Sequence, residues 1–367
     1  MKIGILTFHN TINYGGVLQC YALKEVLKSF GHDVKIIDYR CNMVEDYKKI
    51  VPSAILKDIS GFSRRIKYIL GSVVLYPRKK KAAKAFNTFL ENNFELSKRI
   101  TDINTISRGF DCIVFGSDQI WSPRLCGGFD PVYWGQFHKG NTKFVTYAVS
   151  LGEPRKLVEA EWNRIGGLIN AFDKISVREN ELKDAIEERF SIPVTCNIDP
   201  TLLCEPDVFE KKAIRPKENN YVFLFNVQSD SQSIAFAYHL AQMMGCRLIV
   251  GQARPRFRVS KDKRYKLVEA FSPEEFLGYL KYARLVVGNS FHAIALSLVF
   301  KKDFYSLDSP MPGRILNILT QINLLDRHVD SSERIQDVKD IDYSAICDKL
   351  NSLRKVSMDN LIDELKC

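Results

Sequence analysis

His292 is the side chain best placed to transfer a proton. It follows a short β-branched run and the turn Gly288-Asn289-Ser290, and residues 291–300 carry apolar side chains among small ones, which predicts strand, turn and buried helix. Asn289 or Ser290 could cap that helix, which would leave the imidazole at the positive end of the helix dipole. In an open α/β sheet this turn faces the ligand crevice, where an imidazole can act as acid or base. The alternative is a histidine that only caps the helix or fills the core.

Asp118 follows a second buried strand. The strand covers 111–115, and the polar run 116–123 begins where it ends. At that sheet edge Asp118 could accept a proton or a hydrogen bond from a sugar hydroxyl, and Trp121 offers an apolar face for a sugar ring. The alternative is that Asp118 only caps the following turn.

Arg178 lies at the end of a third predicted strand, 174–177, and precedes a helix over 180–190. Its guanidinium could hold a phosphate or a carboxylate through two parallel hydrogen bonds. The structural alternative is an ion pair between Arg178 and Glu179 or Asp199 that braces the sheet.

The first strand, residues 1–8, runs into a polar loop that ends in Gly15-Gly16. A helical pattern follows as far as Gly31, and the next strand covers 34–39, so the unit is strand, loop, helix, strand with a parallel sheet. Adjacent glycines permit a close approach of the backbone to a ligand, although packing alone could require them. Their spacing matches neither a dinucleotide-binding fingerprint nor a P-loop.

The alternation of strands and helices continues through most of the chain, which predicts the α/β class with two Rossmann-like domains and parallel sheets facing an interdomain cleft. The domains are expected at 1–209 and 210–340, and a linker rich in charge covers 210–220. The pattern of the tail 341–367 predicts an amphipathic helix that could pack back on the first domain. The remaining predicted strands are 144–149, 194–198, 221–227, 247–251, 284–287 and 304–307.

Residues 41–108 read as a basic helical insertion in the first domain. Two basic clusters flank an apolar patch at 66–76. Such a pattern fits a helix at the interface of an anionic membrane. A solvated helical hairpin without a ligand is the alternative.

Composition limits the class of protein. The chain has 367 residues, 46% hydrophobic and 26% charged, and its net charge of +10 indicates an anionic partner. Nucleic acid is not expected, because no recognised binding motif accompanies the charge. The nine cysteines form no C-x-x-C pair, so no metal site is expected. We find no signal-peptide pattern and no apolar run of roughly 20 residues, and we expect a cytoplasmic protein that could contact the inner face of the membrane peripherally.

Five short motifs, in order along the chain, together resemble the polysaccharide pyruvyl transferase family, and the resemblance runs from the start of the chain to about residue 327. They are 11–19 (TINYGGVLQ), 116–121 (GSDQIW), 176–179 (SVRE), 199–203 (DPTLL) and 289–293 (NSFHA). The double Rossmann-like architecture resembles the GT-B fold of many glycan-modifying enzymes.

The resemblance implies transfer of a pyruvyl group from phosphoenolpyruvate to hydroxyls of a sugar, in a cell-surface polysaccharide or its lipid-linked precursor, with a ketal and phosphate as products. No cofactor is implied beyond this donor. Some similar members carry an arginine two residues before the histidine, where this chain has Ser290, and Arg314 could supply that charge. The implied residues are His292 and Asp118 for catalysis, Arg178, Asn289, Ser290 and Arg314 for the donor, and Asn13, Tyr14, Gly15, Gly16, Gln19 and Trp121 for the acceptor.

Two other functions remain open at this point. A GT-B-like glycosyltransferase would use a nucleotide sugar, but it would need a carboxylate for the ribose in the second domain, and no clear glutamate is present there. A glycan-binding or membrane-associated protein without catalysis could have kept the same fold.

Overall fold

The computed structural model describes residues 1–225, 230–252, 262–308, 313–332 and 335–366. The last two residues of the predicted strand 221–227, and the final residue of the predicted tail, lie outside the described residues.

The first half is built on a six-stranded parallel sheet with the strand order β2-β1-β3-β4-β5-β6. The strands are β1 (Lys2–Leu6), β2 (Asp33–Ile36), β3 (Cys112–Asp118), β4 (Lys143–Val149), β5 (Ser176–Val177) and β6 (Thr195–Cys196). β1 and β3 are adjacent although β2 lies between them in sequence, so the strand order reverses at β1. Ligands of doubly wound sheets bind beyond the carboxyl ends of the strands at such a point.

Nine α-helices accompany the first sheet in the described part of the chain. They are α1 (Tyr14–Ser29), α2 (Asn42–Lys48), α3 (Ser53–Asp58), α4 (Phe62–Asn93), α5 (Pro123–Cys126), α6 (Glu159–Leu168), α7 (Asn180–Phe190), α8 (Pro200–Leu203) and α9 (Pro206–Glu210). Short 3-10 turns cover Ile103–Thr105, Pro154–Lys156 and Ile169–Ala171. The longest element of the predicted insertion 41–108 is thus the 32-residue helix α4, which follows the short helices α2 and α3.

The second half contains a second six-stranded parallel sheet, in the order β12-β11-β10-β7-β8-β9. The strands are β7 (Tyr221–Phe225), β8 (Arg247–Gln252), β9 (Tyr265–Glu269), β10 (Leu285–Gly288), β11 (Phe304–Leu307) and β12 (His328–Val329). The helices are α10 (Ser231–Met243), α11 (Pro273–Lys281), α12 (Phe291–Val299), α13 (Gly313–Gln321) and α14 (Tyr343–Leu365), with a 3-10 turn at Leu325–Arg327. The order reverses at β7, which lies beside β10, as in a Rossmann sheet. The predicted fold class, two Rossmann-like halves with parallel sheets, is confirmed.

One hydrophobic core connects the two halves. Its buried side chains come from α1 and α8 of the first half and from α11 and α12 of the second. Tyr14 at the start of α1 is central to this contact, because its hydroxyl donates to the carbonyl of Phe271 at 2.9 Å and its ring stacks on those of Phe271 and Phe276. A groove lies beside this contact, between the two halves, and the carboxyl ends of strands from both sheets point towards it. Arg178 and Asp199 of the first half and Phe291 of the second are among its lining residues.

The C-terminal helix α14 packs against the first half. Arg354 donates to the carbonyl of Leu202 at 2.7 Å, and the Ser357 hydroxyl accepts from the backbone N–H of Ile198 at 3.0 Å. Both partners lie at or next to α8, so α14 supports the segment that follows β6.

Glu364 of α14 makes the stability of this packing depend on pH. Burial raises the pKa of Glu364 to about 7, although Thr195, Lys174 and Lys143 oppose the shift. The folded protein therefore binds this proton more tightly than the unfolded chain, and stability falls as pH rises from the unfolded pKa of about 4.3 through about 7. We expect Glu364→Gln to raise the free energy of unfolding by about 1–3 kcal/mol at about pH 8, and by much less at about pH 5.

Chemical denaturation of both proteins at the two pH values measures this effect. Glu188→Gln, on the exposed side of α7, is the control. An equal gain for Glu364→Gln at both pH values would show that the carboxyl does not change its charge in this range.

In the described part of the chain, no helix is both long enough and apolar enough to cross a membrane.

Candidate active site

Four elements of the first half and two of the second converge on the groove. α1 begins after β1, Asp118 ends β3, Arg178 follows β5, and Asp199 follows β6 and caps α8. In the second half α12 begins after β10, and α13 carries Arg314. Because the strands of each sheet are parallel, their carboxyl ends share one edge, which explains why residues far apart in sequence meet.

His292 faces the first half from the first turn of α12. Its Nε2 lies 3.5 Å from Oδ2 of Asp199, and its side chain is 9% exposed. The other ring nitrogen, Nδ1, lies against Gly15 so closely that a Cβ on Gly15 would be 2.1 Å away. The imidazole therefore bridges the two halves. Among the described residues, Nε2 makes no hydrogen bond.

Asp199 is the carboxylate partner of His292, and its role was missed from the sequence. Its Oδ1 accepts from the backbone N–H and the hydroxyl of Thr201, and its Oδ2 accepts from Nη1 of Arg178 at 2.6 Å. Burial alone would raise the pKa of Asp199, but His292 and Arg178 hold it well below its usual range. The motif 199–203 signalled this position, but the sequence could not show that it faces a histidine of the other half.

Arg178 is held in a cluster of carboxylates. Besides Asp199, its Nη2 lies 3.6 Å from Oδ1 of Asp118, and its Nε lies 3.5 Å from Oε1 of Glu179. Burial opposes the charge of Arg178, but the three carboxylates raise its pKa further above the ordinary value. The ion pair between Arg178 and Asp199, expected as the structural alternative to ligand binding, is therefore present. It leaves Nη2 without a hydrogen-bond partner among the described residues.

Two further groups lie around this cluster. The guanidinium carbons of Arg178 and Arg314 are 5.2 and 5.7 Å from the centre of the Phe291 ring. Burial and the nearby Arg178 lower the pKa of Arg314. Burial raises the pKa of the Glu179 carboxyl, although Arg178 and Arg314 oppose this. A second arginine, Arg314, which makes no ion pair among the described residues, thus stands beside the first. Glu179, expected from the sequence only as a bracing partner of Arg178, belongs to the site as well.

Several buried polar atoms of this region have no hydrogen-bond partner among the described residues. They are Nε2 of Gln119, Nη2 of Arg178, Oε2 of Glu179 and Nε2 of His292. Buried polar atoms are normally paired, so a cluster of unpaired ones indicates a place for a polar ligand or for water. A cavity of about 110 Å³ adjoins the cluster and is lined by Arg178, Asp199, Phe291 and Arg314, among others.

Asp118, Asn13 and Gly16 also lie at this groove. Asp118 has a φ of 74°, and its Oδ2 would be 3.5 Å from a Cβ on Gly16. Asn13 is exposed and caps α1 by accepting from the N–H of Gly15 at 3.0 Å. The structure therefore brings together Asn13, Gly15, Gly16, Asp118, Arg178, His292 and Arg314 from the sequence-predicted set.

Three predicted acceptor residues have other roles. Tyr14 is 3% exposed and its hydroxyl is bonded to Phe271, so it joins the halves rather than binding a sugar. Gln19 is fully buried, and its Nε2 donates to Thr7 and to the carbonyl of Gly16, so it supports the loop from behind. Trp121 is 1% exposed and stacked on Trp134, so no face is open to a sugar ring. These three predictions are corrected by the burial of the side chains.

Asn289 and Ser290 flank the start of α12. Ser290 occupies the N-cap position, but its side chain makes no capping hydrogen bond, and Asn289 is 9% exposed. Of the two residues expected to cap this helix, Asn289 or Ser290, Ser290 does not do so through its side chain, and its hydroxyl is not committed to the helix. Both residues lie next to His292 at the groove.

Gly15 provides a direct test of how closely the halves meet. A methyl group at this position would overlap the His292 ring, so we expect Gly15→Ala to displace the imidazole and to lower turnover by about 10²-fold while the protein stays folded. Gly167→Ala is the matched control, because it lies in a helix and its Cβ would meet nothing within 4 Å. Steady-state kinetics and melting temperature measure both effects. Unchanged turnover in Gly15→Ala would contradict the close contact.

The arrangement can hold an anion and move protons. The N-termini of α1 and α12 offer N–H donors, and Arg314 and Arg178 offer positive charge; Nη2 of Arg178 makes no hydrogen bond among the described residues. His292, Asp118 and Glu179 can exchange protons. In the described residues no group of three or more His, Cys, Asp or Glu side chains is placed to hold a metal ion.

Comparison with known proteins identifies a family relationship. A family model described as polysaccharide pyruvyl transferase matches residues 13–309, which is more than half of the chain. The match includes Gly15, Asp118, Arg178, Asp199 and His292. No sequence relative was found among curated proteins.

Solved structures resemble this chain only in fold. An alpha-glucosyltransferase in complex with UDP and a 13-mer DNA aligns over 98% of this chain and 91% of that chain, with 8% identity and a TM-score of 0.51. A UDP-GlcNAc 2-epimerase from Methanocaldococcus jannaschii aligns over 98% and 93%, with 13% identity and a TM-score of 0.45. The glycosyltransferase SnogD from Streptomyces nogalater aligns over 98% and 95%, with 10% identity and a TM-score of 0.45. The double Rossmann-like fold is thus GT-B-like.

Proposed function

Because the chain belongs to the polysaccharide pyruvyl transferase family, we propose that it transfers a pyruvyl group from phosphoenolpyruvate to two hydroxyls of a sugar. The sugar is part of a cell-surface polysaccharide or of its lipid-linked precursor. The observation that carries the proposal is the meeting of His292, Asp199 and Arg178 at the groove between the halves.

The reaction needs two additions to one carbon atom. In the first step C3 of phosphoenolpyruvate takes a proton, and a sugar hydroxyl bonds to C2 and loses its proton. In the second step the bond between C2 and the phosphate oxygen breaks, phosphate leaves, and a second hydroxyl bonds to C2 and loses its proton. One donor and one sugar diol thus give one cyclic ketal and one phosphate, with no oxidation or reduction.

Donor binding is supported by the charges at the second half of the groove. Phosphoenolpyruvate carries a phosphate and a carboxylate, and each favours arginine and helix N-termini. Arg178 is already paired with Asp199, so only its Nη2 is left for a ligand. Burial lowers the pKa of Arg314, so an anionic ligand beside Arg314 would stabilise its buried charge. We therefore assign the main anion contact to Arg314, with Asn289 and Ser290 nearby.

His292 is the proposed acid and base. Its Nε2 lies 3.5 Å from Oδ2 of Asp199 and makes no hydrogen bond among the described residues, so this nitrogen is available to a substrate. The other ring nitrogen, Nδ1, is packed against Gly15 at the first turn of α1. A donor bound beside Asp199 and Arg178 would be close to the Nε2 proton, as general acid catalysis at C3 requires.

The acceptor is proposed to approach from the first half. Asp118 lies beside Gly16 and within 3.6 Å of Arg178, so its carboxylate can accept a hydroxyl proton next to the donor. Asn13 is exposed at the same edge and can offer its amide to the sugar. Glu179 is a second candidate for carrying a proton, because burial raises its pKa.

Thermal denaturation with different donors tests the proposal. A ligand that binds only the folded protein stabilises it, by about 2.7 kcal/mol at a concentration of a hundred times Kd. We expect phosphoenolpyruvate to raise the melting temperature and UDP-glucose to leave it unchanged. The opposite result would favour a glycosyltransferase that uses a nucleotide sugar. If neither ligand acts, the proposed donor site is wrong.

A further inference from the structure

The outer face of α4 is an exposed apolar surface bordered by positive charge. We define this face by Phe62, Ile66, Ile69, Leu70, Val73 and Val74, whose spacing of three and four places them on one side of the helix. Phe62 is 81% exposed, and Leu70 and Val74 are each 61% exposed. The outer face extends for roughly 18 Å along the helix axis, from Phe62 to Val74.

The opposite face of α4 accounts for its attachment to the body of the protein. Ser72, Ala82, Phe86 and Phe89 are buried there, and the Phe86 ring lies 4.9 Å from that of Tyr14. The outer face is therefore not the face through which α4 packs against the protein. It is a second apolar surface on a helix that is already anchored.

The charge along the first 29 residues of α4, 62–90, has one sign only. Residues 62–90 contain no aspartate or glutamate. The basic residues of the helix are Arg64, Arg65, Lys67, Arg78, Lys79, Lys80, Lys81 and Lys84. Of these, Arg78 pairs with Glu269 of the second half at 2.6 Å, and Lys79 reaches the carbonyl of Ile50. Lys80, Lys81 and Lys84 are exposed and lie further along the helix, beyond the C-terminal end of the outer face.

We propose that the outer face of α4 inserts into the interface of an anionic lipid membrane, with the flanking lysines and arginines on the headgroups. An interfacial helix shows this combination of an apolar face with bordering cations. A second copy of the chain is a poorer partner, because two such helices would bring like charges together, and residues 62–90 contain no acid to pair them. The outer face is a long apolar stripe on a single helix, so the helix could lie parallel to the plane of a bilayer with this stripe inserted.

Membrane contact would also place the groove near the lipid. α4 reaches both halves, through Phe86 beside Tyr14 and through Arg78 on Glu269. A lipid-linked sugar could then enter the groove without leaving the membrane. This last step alone rests on the proposed function; the membrane contact itself does not.

Co-sedimentation of the full chain with vesicles tests the inference. Vesicles of phosphatidylcholine with phosphatidylglycerol should bind the protein, pure phosphatidylcholine should bind it far less, and added salt should weaken binding. Leu70→Glu and Val74→Glu should each lower the partition coefficient by about tenfold. The matched control is Val158→Glu, at a position that is also 61% exposed but lies outside α4. It should bind as the unmodified protein does.

Three results would overturn the inference. They are no binding to the anionic vesicles, binding that Leu70→Glu and Val74→Glu leave unchanged, and an equal loss in Val158→Glu. Sedimentation velocity without lipid adds a fourth: a dimer that dissociates in Leu70→Glu, with no vesicle binding, would assign the surface to a second copy. Melting temperatures verify that each variant is folded. None of these measurements uses turnover, so they stand whether or not phosphoenolpyruvate is the donor.

Discussion

Replacing His292 with glutamine is expected to lower turnover by about 10²–10⁴-fold, the usual contribution of a positioned acid or base. Glutamine keeps the approximate size of the side chain and its polarity, so the contact with Gly15 can persist while proton transfer is lost. The protein should stay folded, because Nε2 of the imidazole makes no hydrogen bond among the described residues that the fold would lose. Phosphate release from phosphoenolpyruvate, with a sugar acceptor, measures the effect.

His239→Gln is the matched control for this substitution. His239 lies on α10 of the second half, where its Nε2 contacts the carbonyl of Ile335 outside the groove. It should retain wild-type turnover. A His292→Gln protein that reacts normally but melts at a lower temperature would show that the histidine serves packing instead of catalysis.

Asp199→Asn is expected to have the largest effect on stability. The carboxylate is buried and pairs with Arg178 at 2.6 Å, and the amide would leave that guanidinium with only the longer contacts to Asp118 and Glu179. Breaking a buried ion pair from one side costs about 3–5 kcal/mol. Turnover should fall as well, because His292 loses the carboxylate that lies 3.5 Å from its Nε2. Urea denaturation and kinetics measure the two effects.

The pH dependence separates charge from shape at position 199. The pKa of Asp199 is lowered in the folded protein. The contribution of this carboxylate to the free energy of unfolding is therefore present above the unfolded pKa of about 3.9, and it is lost as pH falls from there towards the lowered pKa of the folded state. The difference between Asp199→Asn and the wild type should therefore shrink in acid. Asp173→Asn is the control. Asp173 is an exposed partner of Lys139, so this substitution should lower the free energy of unfolding by about 1 kcal/mol or less. A constant difference across the pH range would indicate a steric effect of the amide.

The sequence predicted the local units of the groove well, because each is defined by neighbouring residues. The strand, turn and helix around His292 follow from a β-branched run, turn residues and an apolar helix, and they occur as β10 and α12. The same is true of β1, Gly15-Gly16 and α1. Parallel sheets then require these turns to share one edge with Asp118 and Arg178.

Contacts between the halves could not be predicted in this way. The pairing of His292 with Asp199 depends on how two domains dock, which no local pattern encodes. Tyr14 and Trp121 were misassigned for a related reason: an aromatic residue next to a ligand loop can stack on a sugar or fill a core, and only packing decides between them. β9, over Tyr265–Glu269, was missed because its sequence follows a basic run and has only partly buried side chains.

The most direct test of the donor site is calorimetric titration of phosphoenolpyruvate into the wild-type protein and into Arg314→Gln. Arg284→Gln, an exposed arginine just before β10 at the end of that strand away from the groove, is the control. We expect one phosphoenolpyruvate per chain, a Kd at least about tenfold weaker in Arg314→Gln, equivalent to about 1.4 kcal/mol, and no change in Arg284→Gln. Equal binding by all three proteins, or binding of UDP-glucose but not phosphoenolpyruvate, would contradict a donor site at the His292 groove.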